Sequence, residues 1–382
     1  MKKLITIFAI LICIFGTSIS IADTEDEVIN SQMDSFNISS FIDEANKYSN
    51  DILKDIDIQE LLNNAIKGEL DTNQLLKNIF PILGTEIKEA LKVMGSILII
   101  VLIHSVLKSI SDNLNNKSVA QITYYVQYIL IATVIMTNFS SIITLTKEAV
   151  GNMISFIQLL FPLLMTLMLA SGSAVSVNLV QPIILFIINL ISNIFQSIII
   201  PIILVGTALA IVSKISDRIQ IDKLSKFLKS SAVWVIGILL TIFVGVLSIE
   251  GTLGSSVDGI TAKTAKAAVS SFIPVVGKVL GDAVDTVIGC SAILKNAIGI
   301  VGVIVVIAIC ITPILKLAII TIIYHLTAAL CEPIADSKIV SLISQMADTF
   351  KILFAIVCSI SVMLIIGITL VINISNTGLM YR

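Results

Sequence analysis

Histidines, cysteines and a few amides within apolar runs are the residues of this chain that could carry chemistry. His104 and His325 are the two histidines. Each has apolar neighbours and no carboxylate within a helical turn. A proton relay needs a longer series of ionisable groups. Both histidines therefore read as helix-packing side chains bonded to a neighbouring backbone or polar group. The five cysteines are Cys13, Cys290, Cys310, Cys331 and Cys358. They contain no CxxC pair, which leaves no zinc or dithiol redox motif. Four of them sit in or beside apolar segments, where cysteine behaves as a small buried hydrophobe, and no disulfide framework is expected. HExxH, GxxxxGK[ST] and GxSxG are all missing from the sequence. The reading is of a protein without catalytic, cofactor-binding or metal-binding residues, hence not an enzyme. Glu250 and Glu332 fall near the ends of apolar runs, where a carboxylate reaches water.

Two other constellations stand out. Asn189, Asn193 and Gln196 follow i, i+4, i+7 spacing and share one helix face just before Pro201. Such a polar face on a broken helix suits a transport pathway. It also suits interhelical hydrogen bonding, which is the favoured reading. Gly277 and Gly281 have GxxxG spacing, which lets helix backbones approach closely. They lie where Val276, Val279, Leu280, Ala283, Val284, Val287 and Ile288 recur with helical period. Lys278, Asp282 and Asp285 occupy the opposite face. That segment reads as an amphipathic helix lying in an interface or against a partner. The bland alternative is a flexible interfacial helix.

The elements that position these residues follow from composition. Hydrophobic types make up 56% of the 382 residues and charged types 13%. The charged share is about half that of a soluble domain, roughly 25%. Apolar runs of about twenty residues recur, each long enough to cross a hydrocarbon core of about 30 Å as a helix. They are continuously apolar rather than alternating, which argues against an outer-membrane barrel. The expectation is an all-α, polytopic helical membrane protein. Nine candidate spans follow: 93–111, 122–146, 153–171, 178–198, 199–213, 232–250, 297–315, 317–334 and 350–374. The fourth and fifth form one stretch broken near Pro201, read as a tight hairpin or a re-entrant segment.

Charge divides the chain. Residues 23–89 hold 15 acidic and 5 basic side chains, whereas residues 90–382 hold 11 acidic and 17 basic. Nothing resembles a nucleic-acid footprint. Residues 1–22 have a basic start, an apolar run and a small-residue cleavage site, as in a cleavable signal peptide, with an uncleaved anchor as the alternative. Residues 23–89 then form a small acidic helical leader outside the cytoplasm. Within it Asp57 and Glu60 have capping-box spacing, Lys67-Gly68 closes a helix, and Pro81 stops another. The leader is either a solvated lead-in or a docking platform for a partner. The basic stretch 214–231 is expected in the cytoplasm. An odd number of crossings must precede it, five on this count. The membrane domain is thus 90–250 and 297–382, with 251–296 an extracytoplasmic loop and Arg382 inside.

That loop carries a resemblance. The order GSSVDGITAKTAKAAVSSFIPVVGKVLGDAVDTVIGCSAILKNAIG resembles the stage III sporulation protein AE family of endospore-forming bacteria. The signal-like start, acidic leader and multi-span body agree along nearly the whole chain. The resemblance implies a membrane subunit of the channel-like assembly linking mother cell and forespore, placed in the outer forespore membrane. Its partners would be the lipid bilayer and other subunits of that complex. Any ATPase activity would belong to a separate subunit, since no nucleotide-binding motif is present. The alternative is a stand-alone secondary transporter with a broken-helix site at 178–213.

Overall fold

In the computed structural model residues 21–48, 53, 56–69, 73–113, 117–215, 221–272 and 276–380 are described. The signal-peptide expectation lies almost wholly outside them. Three short leader helices come first: α1 (Ile21–Ser35), α2 (Ile38–Tyr48) and α3 (Ile58–Lys67). Long rods follow: α4 (Asn73–Asn113), α5 (Lys117–Ala170), α6 (Ala174–Ile194), α7 (Ile200–Ile215), α8 (Asp222–Phe272), α9 (Val276–Cys331) and α10 (Ser337–Met380). A π-helical turn, Phe195–Ile199, joins α6 to α7 into one continuous rod. No strand occurs among the described residues.

Among the described residues six helices, not nine, are long and apolar enough to cross a membrane: Lys77–Ile110, Tyr124–Ala170, Ala174–Lys214, Asp222–Ile249, Val284–Cys331 and Ser337–Ile374. Three pairs of expected spans are fused, because the residues between them do not turn the chain. Lys147 and Glu148 are simply exposed positions along α5. Pro81, Pro162, Pro182 and Pro313 all lie inside helices. A proline forfeits one backbone hydrogen bond, which neighbouring turns and hydroxyls can compensate in a long packed helix. Thr85 and Thr166 donate to the carbonyls of Pro81 and Pro162. Near Pro201 the chain neither breaks nor re-enters. The π-turn immediately before it loosens the ladder where the ring lacks its N–H. The segment read as the loop 251–296 is helical too, shared between the end of α8 and the start of α9.

Rods α9 and α10 form the centre, with α5 against α9, and α8 bridging α10 to α6 and α7. A centrally placed helix can be apolar all round. Tyr324 meets Phe350 edge-on at 5.0 Å, and Phe139 adds a ring 6.4 Å from Phe350. Four buried hydroxyls are satisfied within their own helices: Thr146, Thr207, Thr327 and Ser361 donate to the carbonyl four residues back. This keeps polar atoms paired without interrupting the apolar contact surface.

One end of the bundle is basic. There Lys108 pairs with Asp336, Lys214 pairs with Asp222, and the Tyr124 hydroxyl donates to the Lys214 carbonyl at 3.1 Å. The opposite end carries the leader. Ile38, Phe41, Ile58 and Leu62 are buried and belong to the main hydrophobic core. Phe41 and Tyr48 stack on Phe156 of α5 at 6.0 and 6.2 Å. Burial lifts the Tyr48 hydroxyl above its ordinary pKa, with the Glu44 carboxylate adding to the effect. The α3 helix has the expected ends: the Asp57 carboxylate accepts from the Gln59 N–H at 2.9 Å, and Gly68 takes φ +75°.

Candidate functional site

Asn189, Asn193 and Gln196 do share one face, and all three are exposed. The Asn189 carbonyl oxygen accepts from Gln158 of α5 at 3.1 Å, while its amide donates to the Leu185 carbonyl at 2.9 Å. Asn193 accepts from the Ser197 hydroxyl one turn on, at 3.0 Å. Interhelical hydrogen bonding is thus found at Asn189, whereas the bond at Asn193 stays within its own rod. The face continues through exposed Asn152, Ser155 and Thr166 on α5 and Asn178 on α6. At the π-turn its character changes. Beyond Ser197 the exposed positions are Ile198, Leu204, Val205 and Val212. On α5 exposed Ile122, Val126, Ile129, Leu130 and Met136 give way to Thr137, Ser140, Thr144 and Lys147.

Gly277 and Gly281 lie in the first turns of α9, and their surroundings fall outside the described side chains. Glycine notches occur elsewhere. A Cβ on Gly302 would sit 2.5 Å from Leu160 Cδ2, and one on Gly367 would sit 2.8 Å from the Phe243 ring. These notches let α9 meet α5, and α10 meet α8, at close range. The GxxxG pattern did not point to either.

Several ionisable groups inside the bundle are held by named partners. The Lys316 ammonium lies 3.2 Å from Glu86 and 3.1 Å from Glu89 of α4. The buried Lys229 donates to the Thr349 hydroxyl at 2.7 Å, and the buried Lys295 donates to the Ile372 carbonyl at 3.2 Å. Near the leader end the Asp258 carboxylate is 4% exposed. It accepts from the N–H groups of Val175 and Ser176 at 2.8 and 3.0 Å. Those are orphan donors at the start of α6, where Ser173 provides no side-chain cap. His325 is half-exposed, with its Nε2 3.9 Å from an Asp348 carboxylate oxygen, beyond hydrogen-bond range. The His104 ring lies outside the described side chains. Among the described residues no three His, Cys, Asp or Glu side chains gather as a metal site, and Cys290, Cys310, Cys331 and Cys358 form no disulfide.

The leader is tied to the bundle by more than apolar contact. Gln32 of α1 donates to the Val287 carbonyl at 3.1 Å and to the Ser291 hydroxyl at 2.9 Å. A groove between α2, α5 and α9 of about 220 Å³ is lined by Lys47, Tyr48, Glu148, Asn152, Thr312 and Pro313, among others. What this arrangement offers is a rigid polar surface at one end and an apolar girdle towards the other.

Comparison with known proteins agrees with this architecture. The profile of the family described as "Stage III sporulation protein AE" matches residues 56–375. A protein of Bacillus subtilis (strain 168) named "Stage III sporulation protein AE" is 32% identical over 307 residues, covering 80% of this chain and 77% of that protein. No solved structure matches. A match spanning leader helix α3 and all the long rods leaves one conclusion: this chain is a multi-helix membrane protein belonging to the stage III sporulation protein AE family.

Proposed function

We propose that the protein is a non-enzymatic subunit of a channel-like, secretion-like complex between mother cell and forespore, placed in the outer forespore membrane. The observation that carries the reading is the leader built into the bundle core, with Ile38, Phe41 and Leu62 buried. Leader and membrane rods thereby form one body. Its charged outer surface suits contact with other subunits in the extracytoplasmic space. Energy for any transport would come from a separate ATPase.

On this reading residues 23–89 and the 251–296 hairpin face outward, and 214–231 faces the cytoplasm. Three rods precede that basic stretch, still an odd number, so its side is unchanged. Six crossings rather than nine move the end of α10 from inside to outside. A cysteine at 220, in a background lacking the native five, is expected to resist an impermeant thiol reagent in intact cells. One placed in α2 is expected to react.

The alternative, a stand-alone transporter, has less support. Its broken helix is a continuous rod, and Asn189, Asn193 and Gln196 face outward rather than into an enclosed site. Affinity capture from sporulating cells is the decisive experiment. Co-purification of other membrane or extracytoplasmic proteins is expected, together with arrested spore development when α2 is disrupted. Ion-coupled, substrate-specific uptake by the purified protein alone would overturn the proposal.

A further inference from the structure

The rods are about twice as long as a bilayer requires. Rod α5 has 54 residues and α9 has 56. Each is roughly 80 Å at 1.5 Å per residue, against a hydrocarbon core of about 30 Å. Three separate observations show which part suits lipid.

The first is the girdle. On α4 the exposed side chains from 99 to 110 are Ile99, Leu102, Ile103, Val106, Leu107 and Ile110, with Ser109 the one polar member. On α8 the large exposed side chains from 227 to 249 are Phe227, Val233, Trp234, Ile238, Ile242 and Ile249, with the small hydroxyls of Ser230, Thr241 and Ser248 among them. The second is ionic. Glu89 and Lys108, paired across to Lys316 and Asp336, bracket the stretch of α4 that holds most of the girdle, with Leu91, Lys92 and Ser96 exposed between Glu89 and Ile99. Nineteen helical steps separate Glu89 from Lys108, about 28 Å, close to one hydrocarbon thickness.

The third is the position of the leader. Asp43, Asn46 and Lys47 of α2 are exposed, and Lys47 and Tyr48 line a groove with Glu148, Asn152 and Thr312. Charged water-facing residues therefore flank α5 and α9 at that level. From there outward the exposed face of α5 carries Asn152, Ser155, Gln158 and Thr166. That of α6 carries Asn178, Asn189, Asn193 and Gln196. Exposed Leu169, Leu179 and Phe186 stand singly among them, as apolar residues do on any water-facing surface.

We propose that the bilayer covers only the half of the bundle nearest the basic end. The other half, with the leader packed against it, stands clear of lipid as a helical tower. From Glu250 to the end of α8 at Phe272 the tower rises about 33 Å. The apolar sequences 153–171, 178–198 and 297–315 then belong to the tower, each with one face buried in it, rather than being membrane crossings. The proposal rests on the protein being membrane-inserted and not on its role in a channel.

The single tryptophan, Trp234, is 71% exposed within the girdle and serves as a native depth probe. Its counterpart is the full-length double variant Trp234→Phe, Phe186→Trp, because Phe186 is 67% exposed in the tower. Both proteins are reconstituted in phosphatidylcholine vesicles with acyl-chain-brominated lipid. Bromolipid is expected to remove half or more of the Trp234 fluorescence and less than a tenth of that at position 186. Aqueous iodide should show the reverse order. Quenching at 186 as strong as at 234 would overturn the proposal. A second readout avoids any folding defect of that variant. Gln158→Cys and Ile103→Cys, each without the native cysteines, are treated with an impermeant maleimide and compared with Ser39→Cys in the leader. Labelling of 158 at the level of 39, with 103 protected, supports the tower. Protection of 158 until detergent is added refutes it. Neither readout depends on partners or spore formation, so failure here leaves the subunit proposal standing.

Discussion

The Asp258 carboxylate caps α6 by accepting from the Ser176 N–H in its first turn, from 82 positions further along the chain. A buried anion at a helix N-terminus satisfies two orphan N–H groups and complements the helix dipole. It also fixes α8 to the turn between α5 and α6.

Replacing Asp258 by Ala removes both acceptors from a site that water scarcely enters. The expected cost is about 1–3 kcal/mol per stranded group. It would appear as a lower melting temperature in detergent and faster hydrogen exchange over residues 175–178. Asp258→Asn keeps one acceptor oxygen and should fall between wild type and Ala.

Gly302→Ala places a methyl against Leu160, with Leu160 Cδ2 only 2.5 Å from the new carbon. Overpacking of this kind costs roughly 1–3 kcal/mol. Gly95 is the control, since a Cβ there meets nothing within 4 Å. Gly95→Ala should be neutral, or stabilise by up to about 1 kcal/mol through helix propensity. Thermal unfolding of the two variants in one detergent gives the comparison.

Phe41 is 1% exposed and stacks on Phe156. Phe41→Ala should cost about 3–5 kcal/mol at the leader interface. The expected signature is local: limited proteolysis cuts the leader while the long rods remain protected. Loss of the whole protein to protease would contradict a leader that docks onto a bundle stable without it.

Asn193→Leu should leave stability within about 0.5 kcal/mol of wild type, because the side chain is exposed and its bond to Ser197 lies within one rod. Asn189→Leu breaks the contact to Gln158 and should cost about 0.5–1.5 kcal/mol. Equal losses at the two positions, measured by chemical denaturation in micelles, would mean that Asn193 also bonds across helices.

The sequence made the helical class and the α3 ends readable, since capping at Asp57 and termination at Gly68 are local events. The count of crossings was not readable. Proline and an exposed Lys-Glu pair look like chain reversals when only hydropathy is scored. They stay helical here because tertiary packing holds the rods straight. Of the polar residues singled out, Asn189 is bonded to Gln158 of α5, and the outward direction of the face depends on where α8 packs. Asp258, Gly302 and Lys316 gave no local signal: each matters through a partner more than 80 positions away.

The Gln32 contact sets a timetable for biogenesis. The leader's hydrogen-bond acceptor on Val287 lies 255 residues downstream. At roughly 5–20 residues per second of synthesis, the acceptor follows the leader out of the ribosome by about 13–50 s. During that interval the α1 contact to α9 cannot form, although Phe156 of α5, the ring against Phe41, is made earlier. The nascent leader must be shielded or remain dissolved until the fifth rod is inserted, so its strongly acidic composition doubles as protection against premature aggregation.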